Sequence, residues 1–301
     1  MKSLQHKRCL ITGAASGIGR AIALQLCPHQ PRLALVDKDL DKLKAVAAEC
    51  RSLGADVALF PCDLIDRAAI SQMTSAVQEK WGSVDLLVNN AGVAFYGPTE
   101  NMSQAQWDWL LQINLLAPIQ ITREVLPGML TLPEAHILNL CSISGLVAAG
   151  RFAAYHVSKF GLVGFSEAMR AEYVRRGIGV TALCPGPVST NLYNTAVSGR
   201  PDKAVPNPPR WLCATPEAVA KKAIRAIQKN RGMVVITPMA HLLWRAKRLM
   251  PGVLDWLNRL TRKKHKPAAA IRQSNSPETS APPHFKSATA ETSANSDRHA
   301  A

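Results

Sequence analysis

The sequence predicts an α/β protein: a single doubly wound parallel sheet of about seven strands with helices on both faces. Three observations carry this. Short apolar, β-branched runs alternate with helix-periodic stretches, the pattern of consecutive βαβ units. Glycines cluster in the turn after the first run, and polar or turn residues close several later runs. The strands expected are 8–12, 33–36, 57–60, 86–88, 136–140, 180–183 and 233–236. The helices expected between them are 19–26, 40–53, 68–80, 105–126, 153–175 and 216–228. In the third helix Ile70, Met73 and Val77 recur on a 3.6-residue period while Gln72, Ser75 and Glu79 fall on the other face.

This rhythm defines one domain over residues 1–240. Within it, 192–210 carries Pro201, Pro206, Pro208 and Pro209 among polar residues and is expected to be a mobile loop. A basic amphipathic extension follows at 241–266. Residues 267–301 are rich in Ala, Ser, Thr, Asn and Pro, bury too little apolar surface to offset ordering entropy, and are expected to be disordered.

Of the 301 residues 47% are apolar, enough for a sizeable core. The seven cysteines form no C-x-x-C pair and the eight histidines show no ligand spacing, so free thiols and no metal are expected. Residues 1–7 are short and polar ahead of the first apolar run, too little for a secretory signal. No apolar run approaches the ~18 residues of a spanning helix. The expected location is cytoplasmic.

After the first strand, Thr12-Gly13-Ala14-Ala15-Ser16-Gly17-Ile18-Gly19 leads into a helix. Glycines permit a tight turn and bring backbone N–H groups, at a positively polarised helix end, up to a pyrophosphate. The spacing is G-x-x-x-G-x-G, not the general G-x-G-x-x-G. Asp37 ends the second strand, where a carboxylate accepts ribose hydroxyls and repels a 2′-phosphate. Ser16 stands where a basic residue would grip that phosphate, so NAD is preferred over NADP, although Lys38 follows at once.

Tyr155-His156-Val157-Ser158-Lys159 lies in a helical pattern, which puts Tyr155 and Lys159 on one face. An ammonium nearby favours phenolate and lowers a phenol's ordinary pKa of about 10. Such a tyrosine is a proton carrier for an alcohol or carbonyl oxygen. Ser142 and Ser144 follow the fifth strand, where a hydroxyl holds a substrate oxygen. Asn89-Asn90-Ala91-Gly92 closes the fourth strand and Pro185-Gly186 the sixth, so polar strand ends converge on one crevice.

From about residue 8 to 240 this combination resembles the short-chain dehydrogenase/reductase family, whose fold is of the Rossmann type. The resemblance implies a catalytic tetrad of Asn114, Ser142, Tyr155 and Lys159, with Tyr155 as acid/base and Ser142 holding the substrate oxygen. Lys159 would lower the phenol pKa and hold the nicotinamide ribose, and Asn114 would support a water relaying protons to Lys159. It further implies that Thr12, Gly13, Ser16, Gly17, Ile18 and Gly19 bind the cofactor, with Asp63 and Leu64 beside the adenine. Asn90, Ala91 and Gly92 would steady the sheet there. Pro185, Gly186, Val188 and Thr190 resemble the segment covering the nicotinamide. His156 is expected to point away from Tyr155 and is given no role.

The net charge of +15 is uneven, with eleven Lys and Arg against four Asp and Glu after residue 240. On a helical wheel Leu242, Leu243, Ala246, Leu249 and Met250 share an arc that leaves out Arg245, Lys247 and Arg248. After Pro251-Gly252, Val253, Leu254, Leu257 and Leu260 form a second apolar face, and Lys263, Lys264 and Lys266 close the segment. Such a pair suits an anionic membrane surface, and equally a cap over a pocket or a subunit interface. Nucleic acid is the poorest partner, since no nucleic-acid-binding fold is recognisable.

The function these readings imply is an NAD(P)-dependent oxidoreductase interconverting an alcohol and a ketone or aldehyde. The absence of an arginine clamp in the motifs favours a lipophilic substrate, and a homo-oligomer is expected. The alternative is a non-catalytic NAD-binding protein recruited to a membrane by its tail.

Overall fold

The computed structural model describes residues 1–200 and 205–252. The chain opens with strand β1 (Arg8–Thr12), helix α1 (Gly17–Leu26), β2 (Arg32–Asp37), α2 (Leu40–Ser52), β3 (Asp56–Pro61), α3 (Arg67–Trp81) and β4 (Leu86–Asn89). It continues with β5 (Phe95–Tyr96), α4 (Gln104–Leu111), α5 (Ala117–Met129), β6 (Ala135–Leu140), α6 (Ala153–Tyr173) and β7 (Ile178–Pro185). Last come α7 (Leu192–Thr195), β8 (Val197–Ser198), α8 (Pro216–Gln228), β9 (Met233–Ile236) and α9 (Pro238–Leu249).

Seven strands pair in parallel in the order β3-β2-β1-β4-β6-β7-β9. Every residue of β6 and β7 is buried, as expected of strands covered on both faces. One face packs Ile22 and Leu26 of α1, Leu43 and Val46 of α2, and Val219 and Ile227 of α8. The other packs Ile70 and Val77 of α3, Ile121 and Val125 of α5, and Met169 of α6. Each such side chain contributes about 1.5–3 kcal/mol on burial. The strand order reverses between β1 and β4, so a crevice opens beyond their carboxyl ends.

Helix starts follow ordinary capping chemistry. Asp39 accepts the Lys42 N–H, Asp66 those of Ala68 and Ala69, and Thr215 that of Ala218 ahead of Pro216. The helix expected over 105–126 is not continuous. A π-turn, Gln112–Leu116, separates α4 from α5, and the Ala117 N–H reaches the Gln112 carbonyl. Pro118 has no N–H to give the carbonyl four residues back, which loosens the α-helical ladder there.

The segment expected to be a mobile loop contains α7 and β8. Strand β8 pairs with β5, and the Val197 N–H donates to the Ala94 carbonyl at 3.0 Å. Glycines permit this approach: a Cβ on Gly97 would lie 2.8 Å from the Gly199 Cα.

Helix α9 turns one of its two faces inward. Ala240 is buried and Trp244 packs with Cys184 and Val235, while Leu242 and Leu249 are 70% and 80% exposed. The phase is set by Pro238 and by Thr237, whose side chain caps the Ala240 N–H, which turns the 240/244/247 seam inward. The expected second stretch at 253–260 and the tail at 267–301 lie outside the described residues. Among the described residues no helix is long and apolar enough to cross a membrane.

Candidate active site

The turn after β1 is fastened to the end of β4. Thr12 Oγ1 accepts the N–H groups of Asn90 (3.0 Å) and Ala91 (3.2 Å), and Asn90 Nδ2 donates to the carbonyls of Thr12 (2.9 Å) and Gly13 (3.0 Å). Gly13 and Gly17 adopt positive φ of 65° and 54°, which glycine takes without strain. Gly19 serves packing instead, since a Cβ there would collide with the Gly13 carbonyl oxygen. Helix α1 begins with no side-chain cap on Ser16 and no acidic residue in its first turn. Its leading N–H groups are therefore disposed toward an anion.

A cavity of about 540 Å³ runs along the strand ends. Under β2 and β3 it is lined by Ser16, Gly17, Ile18, Asp37, Lys38, Lys42, Asp63 and Leu64. Gly13, Asn90, Ala91 and Gly92 line it at the ends of β1 and β4, and Ser142, Tyr155 and Lys159 beside β6 and α6. Pro185, Gly186, Val188 and Thr190 line it beyond β7, where Thr190 comes back to within 3.3 Å of a Cβ built on Gly17. The Asp37 carboxylate is held in place by the N–H groups of Ala15 and Asp39, each at 3.1 Å. Val93, Ala94, Ile143, Ala149, Phe152, Leu192 and Met239 make the remaining wall largely apolar. Of the residues expected at the site, Thr12, Gly19 and Asn114 do not line the cavity but stand directly behind it.

Asn114 sits in the π-turn, fully buried. Its Oδ1 accepts the Val93 N–H and its Nδ2 donates to the Val93 carbonyl, both at 2.8 Å, and also to Ser158 Oγ at 3.2 Å. A Cβ on Gly92 would lie 3.4 Å from Asn114 Oδ1 and 3.7 Å from Lys159 Nζ. The missing side chain thus leaves a small gap between amide and ammonium. Lys159 Nζ donates to the Leu140 carbonyl at 2.8 Å and stands 5.7 Å from the centre of the Tyr155 ring.

Burial pushes the Tyr155 phenol well above its ordinary value, the neighbouring Tyr193 adds to this, and a hydrogen bond with Ser142 opposes it. The lowering expected from Lys159 does not appear: desolvation dominates, and the ammonium is turned to Leu140. Burial lowers the Lys159 pKa in turn. Ser142 Oγ accepts the Ser144 N–H at 3.1 Å, which fixes the serine beside Tyr155.

His156 departs from expectation. It lines the same cavity, its Nε2 accepting the Ala149 N–H at 2.9 Å and its Nδ1 lying 2.8 Å from the Ser144 carbonyl. Phe152, Tyr193 and Met239 are further wall residues that no motif announced.

The sequence profile of the short chain dehydrogenase family matches residues 7–200. The chain belongs to this family. A D-threitol dehydrogenase of Mycolicibacterium smegmatis is 37% identical over 225 residues, 73% of this chain and 85% of that one. A short-chain dehydrogenase/reductase of Burkholderia phymatum, solved in complex with NAD, superposes with a TM-score of 0.74 at 26% identity, covering 90% of this chain and 100% of that chain. A metagenomic short-chain oxidoreductase in complex with NADP gives 0.66 at 30% identity, covering 78% and 98%. The fold of these proteins coincides with the architecture described above.

Proposed function

We propose that this short-chain dehydrogenase interconverts a lipophilic alcohol and its ketone or aldehyde, with NAD preferred over NADP. The observation that carries the reading is the shared cavity. Ser142, Tyr155 and Lys159 and the turn and strand end carrying Gly13 and Asp37 line one and the same cavity. Its residues fit a dinucleotide: an uncapped helix start for the pyrophosphate, a fixed carboxylate for a ribose, and Lys159 and Thr190 on the same cavity. When bound, the nicotinamide supplies the two-electron acceptor or donor. Ser142 holds the substrate oxygen, and Tyr155, kept protonated by burial, gives its proton to a carbonyl oxygen or recovers it in reverse. Asn114 and Lys159 lie on either side of Gly92, where Asn114 would support a water that relays a proton to Lys159 and so back to the phenol. Apolar walls from Val93, Ile143, Leu192 and Met239 favour a lipophilic substrate. Purified protein assayed with NADH and NADPH against lipophilic ketones and aldehydes tests this, and turnover of none refutes it. Bound cofactor without turnover would support the non-catalytic alternative instead.

The cofactor preference rests on Asp37. Asp37→Ala removes a ribose acceptor and a charge that repels a 2′-phosphate, next to Lys38 and Lys42 on the same cavity. The ratio of kcat/KM for NADPH over NADH is expected to rise about tenfold or more, a change of ~1.4 kcal/mol. A wild type that already favours NADPH overturns this role.

Helix α9 supports peripheral attachment to an anionic membrane. Leu242 and Leu249 stand outward beside the exposed Arg245 and Arg248. Each basic residue near an anionic leaflet contributes about 1 kcal/mol. Full-length protein is expected to co-sediment with phosphatidylserine liposomes at low salt and to be released at high salt. Protein left in the supernatant at low salt defeats this.

A further inference from the structure

Between β6 and α6 the chain makes a loop, residues 141–152, that forms one wall of the cavity through Ile143, Ser144 and Ala149. Its far half is Ala148-Ala149-Gly150, and an added Cβ on Gly150 would meet nothing within 4 Å. Side chains this small leave room in the cavity but cannot anchor their own backbone. The anchors come from elsewhere.

His156, one residue past Tyr155 on α6, spans the loop. The Ala149 amide can only donate, so Nε2 is the acceptor; Nδ1 then carries the proton and donates to the Ser144 carbonyl. One neutral imidazole therefore ties residue 144 to residue 149, with the Phe152 ring edge-on at 6.4 Å. From the other side, Lys247 of α9 donates to the Leu146 carbonyl at 2.8 Å while its ammonium lies 4.7 Å from the centre of the Phe160 ring. Three backbone groups of the loop are thus satisfied by side chains of two different helices.

We propose that His156 and Lys247 are positioning residues that hold this loop as a wall of the substrate pocket, so that the C-terminal helix takes part in substrate recognition. The inference rests on the oxidoreductase reading for its kinetic consequence, though not for its structural one. Neither residue touches the reacting atoms. Loosening the loop beyond Ser144 therefore weakens the grip on a long substrate, while Tyr155 and Lys159, carried on α6, keep their places.

The test uses the full-length protein saturated with NADH and three variants. His156→Phe keeps the ring and removes both hydrogen bonds, His156→Gln restores a donor and an acceptor, and Lys247→Met keeps the stem and removes the ammonium. Hydrogen exchange over residues 144–150 is expected to quicken about tenfold in His156→Phe and Lys247→Met, with His156→Gln nearer wild type. With methyl ketones of increasing chain length, KM for the longest is expected to rise about tenfold, with kcat and the KM for NADH within about twofold. In the double variant the two losses are expected to fall short of additive, since both act on one loop. Should His156→Phe fail to fold, Lys247→Met, on a partly exposed helix, still reads the loop. Unchanged exchange in the folded variants overturns the proposal, as does a fall in kcat with KM unmoved. If wild type reduces none of the ketones, the oxidoreductase reading falls while the exchange measurement still decides the loop.

Discussion

Exchanging Tyr155 for Phe is expected to lower kcat by about a thousandfold and leave the NADH dissociation constant within about twofold, because general acid–base catalysis contributes about 10²–10⁴-fold. The substitution is nearly silent structurally. The ring packs among Phe95, Met102, Leu110 and Ala154 and lies near Phe152, and a phenyl group makes those same contacts. What disappears is the hydroxyl that Ser142 engages and that Lys159, 5.7 Å from the ring centre, borders. Lys159 and the glycine turn remain for the cofactor. Steady-state rates with the best ketone, beside a fluorescence titration of NADH, separate chemistry from binding. A variant keeping more than about a tenth of wild-type kcat, a loss of only ~1.4 kcal/mol, removes Tyr155 from the acid/base role.

Gly19→Ala carries the second large effect, and it falls on the cofactor. Gly19 already has a helical backbone inside α1, so an alanine meets no torsional penalty there. The obstacle is steric. The new methyl would run into the Gly13 carbonyl oxygen and lie 2.5 Å from Asn90 Nδ2, the donor that fastens this carbonyl. Relief requires the turn to lift away from β4 and abandon that fastening, moving the helix-start N–H groups proposed to hold a pyrophosphate. NADH affinity is expected to fall about a hundredfold, ~2.7 kcal/mol. Gly164→Ala is the control: in α6 an added methyl meets nothing within 4 Å, and alanine is the better helix former by up to ~1 kcal/mol. Calorimetric titration that finds both variants binding NADH alike overturns this account of Gly19.

These two residues also show where sequence is informative. Gly19 and Tyr155 stand in local patterns, a turn between strand and helix and an i, i+4 pair, whose meaning depends on near neighbours. The strands were legible for a related reason. Burial on both faces makes β6 and β7 continuous apolar runs, so the pattern is written in their own side chains. His156 was not legible because its partners are the backbone groups of Ser144 and Ala149, and backbone atoms leave no trace in composition. Strands β5 and β8 hold two residues each and exist only by pairing across a hundred positions. For α9 a helical wheel identified two unlike faces. Which one turns inward is decided by Thr237, Pro238 and the groove they meet, not by the period. The Tyr155 pKa followed the same logic: spacing shows that a cation is near, while burial and the direction of its N–H bonds decide how much it matters.

The π-turn at Gln112–Leu116 bears on how this chain tolerates redesign. A π-turn holds one residue more than the α-helical repeat needs, so its sequence looks like a helix with a spare part. A designer who idealises helices would delete that residue, and by helix criteria alone the edit is an improvement: the ladder closes and α5 stays in phase against α3. The side chains within the turn itself, Asn114 among them, would however point in new directions. The Asn114 amide would then leave both polar groups of Val93, the residue after Gly92 at the cavity wall. Regularity and competence are therefore opposed at this one position, and scoring the scaffold by its helices alone would select against the irregularity that places Asn114.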